Sequence, residues 1–270
     1  MAGSFELFEK LFRQEISQVQ EFSFDESSEN TGTCILGESD AFLKRFFQFA
    51  KTLPFFPPWE SQILDAIHLS EPNDYGLKVD WKVKQACQFT LYFRNPKSLN
   101  FFSDIWPRPS PVAIAKLFHA KLPFCFGIRV GNSSSISYSG YLQTKLSPGS
   151  FRMSIPKLLR KLQWPEHLKD MIISDVLQVS PHRYHGCIGT EASHQVLKLD
   201  LTGVGLGRVL DLLRRKGVSE LRIHELIGAA RKLNQIRTNY FALKYGPNGF
   251  LGWKVYFAVI GSSRNLELPY

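Results

Sequence analysis

The stretch 76–95, GLKVDWKVKQACQFTLYFRN, constrains the fold more than any other part of the chain. Its second half alternates, with Phe89, Leu91 and Phe93 on one face and Gln88, Thr90 and Tyr92 on the other. A period of two is that of a β-strand with one face buried. The layout returns three times. Tyr141, Gln143 and Lys145 oppose Leu142 and Leu146; Lys198 and Asp200 oppose Leu197, Leu199 and Leu201; Lys254 and Tyr256 oppose Trp253, Val255, Phe257 and Val259. Helices between these strands bury their apolar faces on the greasy side of the sheet, so the polar side chains point the other way. Those side chains line either a barrel interior or an open polar face.

The remaining segments punctuate this pattern. Residues 4–20 read as an amphipathic helix capped by Ser4, with Phe5, Phe8, Leu11, Phe12, Ile16 and Val19 on its apolar side. The acidic, Ser/Thr/Gly-rich segment 23–38 reads as a loop or linker. Ser39 caps a helix with Phe42, Phe46 and Phe49 on one face, which FFPPW ends, and further helices are expected over 58–69, 98–105, 112–119, 155–162, 205–216 and 219–233. Hairpins are expected from 123–130 with 135–146 across GNSSS, from 175–189 with 194–201, and over 239–259 with a turn at Gly246-Pro247-Asn248-Gly249. Hairpin and helices thus repeat four times, by period rather than by identity. The fold class is α+β: a closed antiparallel β-barrel of about ten strands with helices outside. One barrel domain covers 1–270, with a helical N-terminal segment 1–38 packed on it or linked to it. An open twisted sheet is the competing arrangement. Lys145, Lys198 and Lys254 on neighbouring polar faces favour the barrel, because an anionic ligand in its lumen needs them.

Charge points to the same kind of ligand without choosing among its classes. A net charge of +9 and a pI near 9.4 favour an anionic partner, whether nucleic acid, a membrane surface or a phosphorylated small molecule. No run of about 18 apolar residues is present, and Glu6 and Glu9 stand where a secretory signal is basic and then apolar. Cys34, Cys87, Cys125 and Cys187 stand alone, without a CxxC pair. A cytoplasmic protein with reduced thiols and no membrane partner is expected. The run 202–207, TGVGLG, has GxGxG spacing and reads as a tight strand-to-helix turn before it reads as a phosphate cradle. His182, His185, Cys187 and His194 match no tetrahedral ligand set, so no residue is assigned to a metal.

The segment FFPPWESQILDAIHLSEPNDYGLKVDWKVKQACQFTLYF resembles the N-terminal region of the cyanobactin prenyltransferases, aromatic prenyltransferases with the αββα barrel. Ala86-Cys87-Gln88-Phe89-Thr90-Leu91-Tyr92-Phe93 stands where that family carries a strand of the form A-x-R-F-x-L-F-F. FGIRVGNSSSISYSGYLQTKL is similar to the family's second hairpin, and WKVYFAV to its closing strand. Two positions depart from the pattern: Gln88 replaces an arginine that helps hold the diphosphate, and Asp74 replaces a glutamate base. The chain is also shorter between the first and second hairpins.

The resemblance implies transfer of a dimethylallyl or longer prenyl group from its allylic diphosphate to an electron-rich acceptor, a peptide side chain or an aromatic small molecule. Arg129, Lys145, Lys198 and Lys254 then bind the diphosphate, with Mg²⁺ as an optional companion of the phosphate oxygens. Tyr92, Tyr141 and Tyr256, with Gln88 and Gln143, shield the allyl cation and shape the acceptor pocket, and Asp74 takes the acceptor's proton. The alternative from another class is a non-enzymatic nucleic-acid-binding protein that uses a polar, aromatic sheet face.

Overall fold

In the computed structural model the alternating segments around Phe89, Lys198 and Lys254 are strands, and the described strand pairs are antiparallel. The structure describes residues 4–25, 31–37, 40–82, 84–97, 125–132, 136–146, 148–179, 184–191 and 196–260. The architecture is α+β, in two compact units: Met1–Ile105 with Phe124–Ser139 and Ala258–Tyr270, and Trp106–Pro123 with Gly140–Phe257. No helix among the described residues is long and apolar enough to cross a membrane.

The first unit opens with helices α1 (Ser4–Leu11) and α2 (Arg13–Gln18) and strands β1 (Val19–Asp25) and β2 (Thr31–Gly37). Helices α3 (Asp40–Ala50) and α4 (Glu60–Ser70) follow, then β3 (Pro72–Lys82), β4 (Gln85–Pro96) and β5 (Cys125–Gly131). Strand neighbours run β1-β2-β3-β4-β5. One row of this sheet reads Phe22, Thr33, Val79, Phe89, Val130, and the next reads Ile35, Leu77, Leu91, Ile128. Those rows face a phenylalanine-rich layer from α1, the turn after it and α3, in which Phe8, Phe12, Phe42, Phe46 and Phe49 are fully buried. Trp81 takes the rings of Phe5 and Phe8 edge-on at 5.1 and 5.2 Å, and Phe46 meets Phe89 at 5.4 Å. Such aromatic pairs add about 0.5–1.5 kcal/mol each beyond the area they bury.

Two expectations fail here. The segment 23–38 is no linker, and 1–38 is not a helical extension: helix gives way to strand at Val19, and β1 and β2 form a hairpin that continues onto β3. Phe22 and Phe24 alternate with Ser23, and Thr33 and Ile35 with Cys34, but each run is short and the acidic, serine-rich sequence between them masks the pairing. Ser4 does not cap its own helix either; its hydroxyl accepts from the Ala86 N–H at 2.9 Å, tying α1 to β4. The helices expected over 98–105 and 112–119 lie outside the described residues.

The second unit takes the later part of β6 (Ile136–Leu146), then α5 (Pro148–Leu162), α6 (Leu168–Val179), β7 (Tyr184–Glu191) and β8 (Val196–Thr202). It continues through α7 (Leu206–Arg215), α8 (Glu220–Lys232), β9 (Tyr240–Gly246) and most of β10 (Gly249–Ile260). Strand neighbours run β6-β7-β8-β9-β10. Leu199, Leu243 and Trp253 form one buried row and Leu201, Phe241 and Val255 the next. Under them α6 and α7 bury Ile172, Val176, Val209, Leu212 and Leu213. The strand expected to begin at 175 begins at Tyr184, because Leu168, Ile172, Asp175, Val176 and Val179 are spaced for one face of a helix. Asp175 is buried there, accepting from the Tyr245 hydroxyl at 3.0 Å and from Lys216 at 2.6 Å.

Candidate active site

Cross-strand partners share a face, so register alone assembles the polar side of each sheet. In the second unit Lys198 pairs with Lys244, Asp200 with Ala242 and then Lys254, and Thr202 with Tyr240 and then Tyr256. Ala242 is small, which leaves room between the carboxylate of Asp200 and the ammonium of Lys254. Tyr141, Lys198, Asp200, Lys254 and Tyr256 are all buried, none more than 8% exposed.

Lys198 is the centre of this group. Its Nζ lies 2.9 Å from Asp200 Oδ1 and donates to the Tyr256 hydroxyl at 3.1 Å. The same ammonium sits 5.2 Å from the ring centres of both Tyr141 and Tyr256, within reach of their electron-rich faces. Burial opposes the charge, but Asp200 and the two tyrosines outweigh it and hold the ammonium well above its ordinary pKa. Burial also pushes the Tyr256 hydroxyl far up, against the downward pull of Lys198 and Lys254. The lysine is therefore a cation and the tyrosine a neutral hydroxyl at neutral pH.

The first unit carries a second polar face. Lys78 lies across from Cys34 on one side and Thr90 on the other, and Thr90 lies across from Arg129. Asp80 lies across from Gly32 and Gln88, and Gly76, Tyr92 and Gly127 form the next row. Lys78 and Asp80 form a buried ion pair, and Gln88 Nε2 donates to Asp80 Oδ2 at 2.9 Å. Gly32 permits this packing: a Cβ there would lie 2.3 Å from Ser23 Oγ and 2.8 Å from Asp80 Oδ1. Asp74 is half-buried near the start of β3, in the same phase as Gly76, Lys78 and Asp80 and across from Arg94.

Of the residues expected at a site, Tyr141, Lys198, Lys254 and Tyr256 come together in the second unit, while Asp74, Gln88, Tyr92 and Arg129 share the polar face of the first. Gln143 and Lys145 belong to β6, but their side chains lie outside the described residues. Sequence reasoning missed Lys78, Asp80, Tyr240 and Lys244. The signal was present, since K-x-D in LKVDW and Y-x-x-x-K in YFALK follow the same two-residue phase.

The glycines of 202–207 serve a turn. Gly203 adopts φ 62°, its N–H donates to Asn239 O, and the Leu206 N–H donates to Ile236 O, so these donors bind the chain's own 236–239 segment. His182 and His194 fall outside the described residues, as do the side chains of His185 and Cys187. Among the described residues no group of three or more His, Cys, Asp or Glu can hold a metal ion.

No protein-family model matches the chain, and no curated protein matches it in sequence. Solved structures do match. A 5-dimethylallyltryptophan synthase from Streptomyces coelicolor superposes with a TM-score of 0.60 at 13% identity, over 92% of this chain and 82% of that one. AnaPT from Neosartorya fischeri gives 0.64 at 14% identity, over 92% and 80%. A 6-dimethylallyltryptophan synthase from Micromonospora olivasterospora, in complex with DMASPP and Trp, gives 0.60 at 12% identity, over 90% and 82%. The chain has the fold of the aromatic prenyltransferases.

Proposed function

We propose that the protein is a cytoplasmic prenyltransferase that moves a dimethylallyl or longer prenyl group from its allylic diphosphate to an aromatic acceptor, either a small molecule or a peptide side chain. The reading includes closure of the ten strands into one barrel. The observation that carries it is the buried Lys198, Asp200, Lys254, Tyr256 group. Lys198, Lys244 and Lys254 share the described face of β8 to β10 with Asp200, a concentration of basic side chains suited to an anionic donor. Solved neighbours in complex with DMASPP and Trp, or with brevianamide F and DMSPP, support the substrate classes.

In this reading the allylic C–O bond breaks and its electron pair leaves with the diphosphate. The lysines hold the departing charge in a site shielded from water, where fixed donors act most strongly. The rings of Tyr92, Tyr141 and Tyr256 face the allyl cation, each such contact contributing roughly 0.5–2 kcal/mol. A bond forms from the acceptor ring to the allylic carbon, and Asp74 takes the proton released. Mg²⁺ has no carboxylate set of its own among the described residues, and Asp80 and Asp200 already face lysines. No step is assigned to it, and any Mg²⁺ arrives on the diphosphate.

An open sheet face for nucleic acid needs exposed rings and cations, whereas Tyr141, Lys198, Lys254 and Tyr256 are buried. The test is incubation with dimethylallyl diphosphate and tryptophan or tyrosine-containing peptides. Addition of one prenyl mass to the acceptor, with release of diphosphate, supports the proposal; donor binding without product on any aromatic acceptor contradicts it.

A further inference from the structure

Beyond the buried polar face, the segment joining α8 to β9 presents an apolar tip among cations. Ile236 is 82% exposed, more than any other large hydrophobic side chain described. It does not sit on a slack loop. The Gln235 N–H donates to Ala230 O at 2.8 Å, the Leu206 N–H to Ile236 O at 3.0 Å, and the Thr238 N–H to Val204 O at 2.9 Å. Gly205 and Arg237 form an antiparallel bridge, and Asn234 takes the left-handed conformation, φ 52°, that ends α8.

Between residues 204 and 238 the sequence holds eight Lys or Arg against three Asp or Glu. The three acids are already engaged: Asp211 and Glu220 with Arg214, and Glu225 with Arg222. Arg208, Arg231, Lys232 and Arg237 are exposed, and among the described residues none of them meets a carboxylate. Unpaired like charges repel one another, so their juxtaposition favours an anionic occupant.

Position says which occupant. The segment leads directly into the candidate site, because the Asn239 N–H donates to Tyr256 O at 2.7 Å and Tyr240 meets the Tyr256 ring edge-on at 6.4 Å. An extended chain can engage the segment 231–237 and Tyr240 together, because that segment runs directly into β9. We infer that this rim docks an acidic peptide, Asp/Glu-rich beside an aliphatic residue that packs on Ile236, and so selects a peptide acceptor. The inference rests on the proposed prenyl transfer. Phosphate backbones would use the cations but leave Ile236 without a partner.

The test uses the full chain and fluorescent tyrosine-containing peptides, one flanked by Asp and Glu and one by Asn and Gln. The acidic peptide is expected to bind about tenfold or more tightly than the neutral one, with a preference that fades as salt rises. In the variant R231Q/K232Q/R237Q that preference should disappear, and KM for prenylation of the acidic peptide should rise while kcat/KM for free tryptophan stays unchanged. Equal binding of both peptides, or a preference that survives in the variant, overturns the inference. So does tighter, variant-sensitive binding of an oligouridylate or of phosphatidylserine vesicles. Free tryptophan prenylated without peptide preference sinks the docking site alone. Acidic peptide bound without any prenyl transfer sinks the catalytic reading and leaves the docking surface.

Discussion

The ammonium of Lys198 donates to the hydroxyl of Tyr256 at 3.1 Å while Asp200 faces it at 2.9 Å from another side. The pair of opposite charges is buried, so its loss on one side should be worse than its loss on both. Lys198→Met removes the ammonium 2.9 Å from the buried Asp200 carboxylate and is expected to destabilise the fold, by up to about 3–5 kcal/mol. Adding Asp200→Leu should recover most of that. Urea unfolding of both variants checks the order, and a double variant less stable than the single one would show that the two groups do not stabilise one another.

Alkaline pH should act on the same residues. The folded pKa of Lys198 is raised, so the stability it contributes is fully present below about 10.5 and is lost as pH rises through the folded value. Tyr256 and Tyr245 are also raised, chiefly by burial, and stay protonated while an unfolded chain begins to lose those protons near 10.0. In that window the unfolded state binds fewer protons than the folded one, and all three groups favour unfolding as pH increases. The melting temperature should fall steeply above pH of about 10. Tyr245→Phe should make the fall shallower, and an unchanged slope would show that Tyr245 ionises at its ordinary pH.

Close packing on the first sheet gives a prediction about a single methyl group. Gly32→Ala places a Cβ 2.3 Å from Ser23 Oγ and 2.8 Å from Asp80 Oδ1, which requires the buried Lys78, Asp80 pair to move. A loss of about 1–3 kcal/mol is expected, the range for overpacking a filled interior. Gly203→Ala has open space around its Cβ and a different cause of strain, the φ of 62°. Equal stability of Gly32→Ala and wild type in urea would mean that the crowding is relieved without consequence.

How much of this was legible follows from which signals are local. Lys198, Lys254 and Tyr256 could be placed on one face because each sits in an unbroken two-residue alternation beside fully apolar neighbours. Lys244 is hidden because YFALKYG presents a small Ala242 in the polar phase, and Lys78 because the regular alternation of 76–95 lies in its second half. The β1 and β2 hairpin was missed for a physical reason: its alternation is only two or three residues deep, and β2 owes its place to pairing with β3, about forty residues on. The helix at Leu168–Val179 was misread because Val176 and Val179 suit a strand as well as a helix when tertiary contacts are unseen.

Asp74 is the proton acceptor in the proposed reaction, half-buried on the same strand face as Lys78 and Asp80. Asp74→Asn is expected to lower turnover by roughly 10²–10⁴ with donor affinity nearly unchanged. Single-turnover rates of prenyl transfer to the unmodified acceptor read this directly. Full turnover in the variant would pass the proton to another carboxylate or to the diphosphate itself.

Binding of the donor bears most directly on the central claim that the buried lysine face receives an allylic diphosphate. Calorimetric titration of dimethylallyl thiolodiphosphate, which cannot readily react, into wild type and Lys254→Ala separates binding from chemistry. The account predicts saturable binding to wild type and a loss of about 1.5–3 kcal/mol in Lys254→Ala, the scale of a charge-assisted hydrogen bond, with the unfolding midpoint unchanged. Absence of binding to wild type, or equal affinity in both proteins, would contradict it.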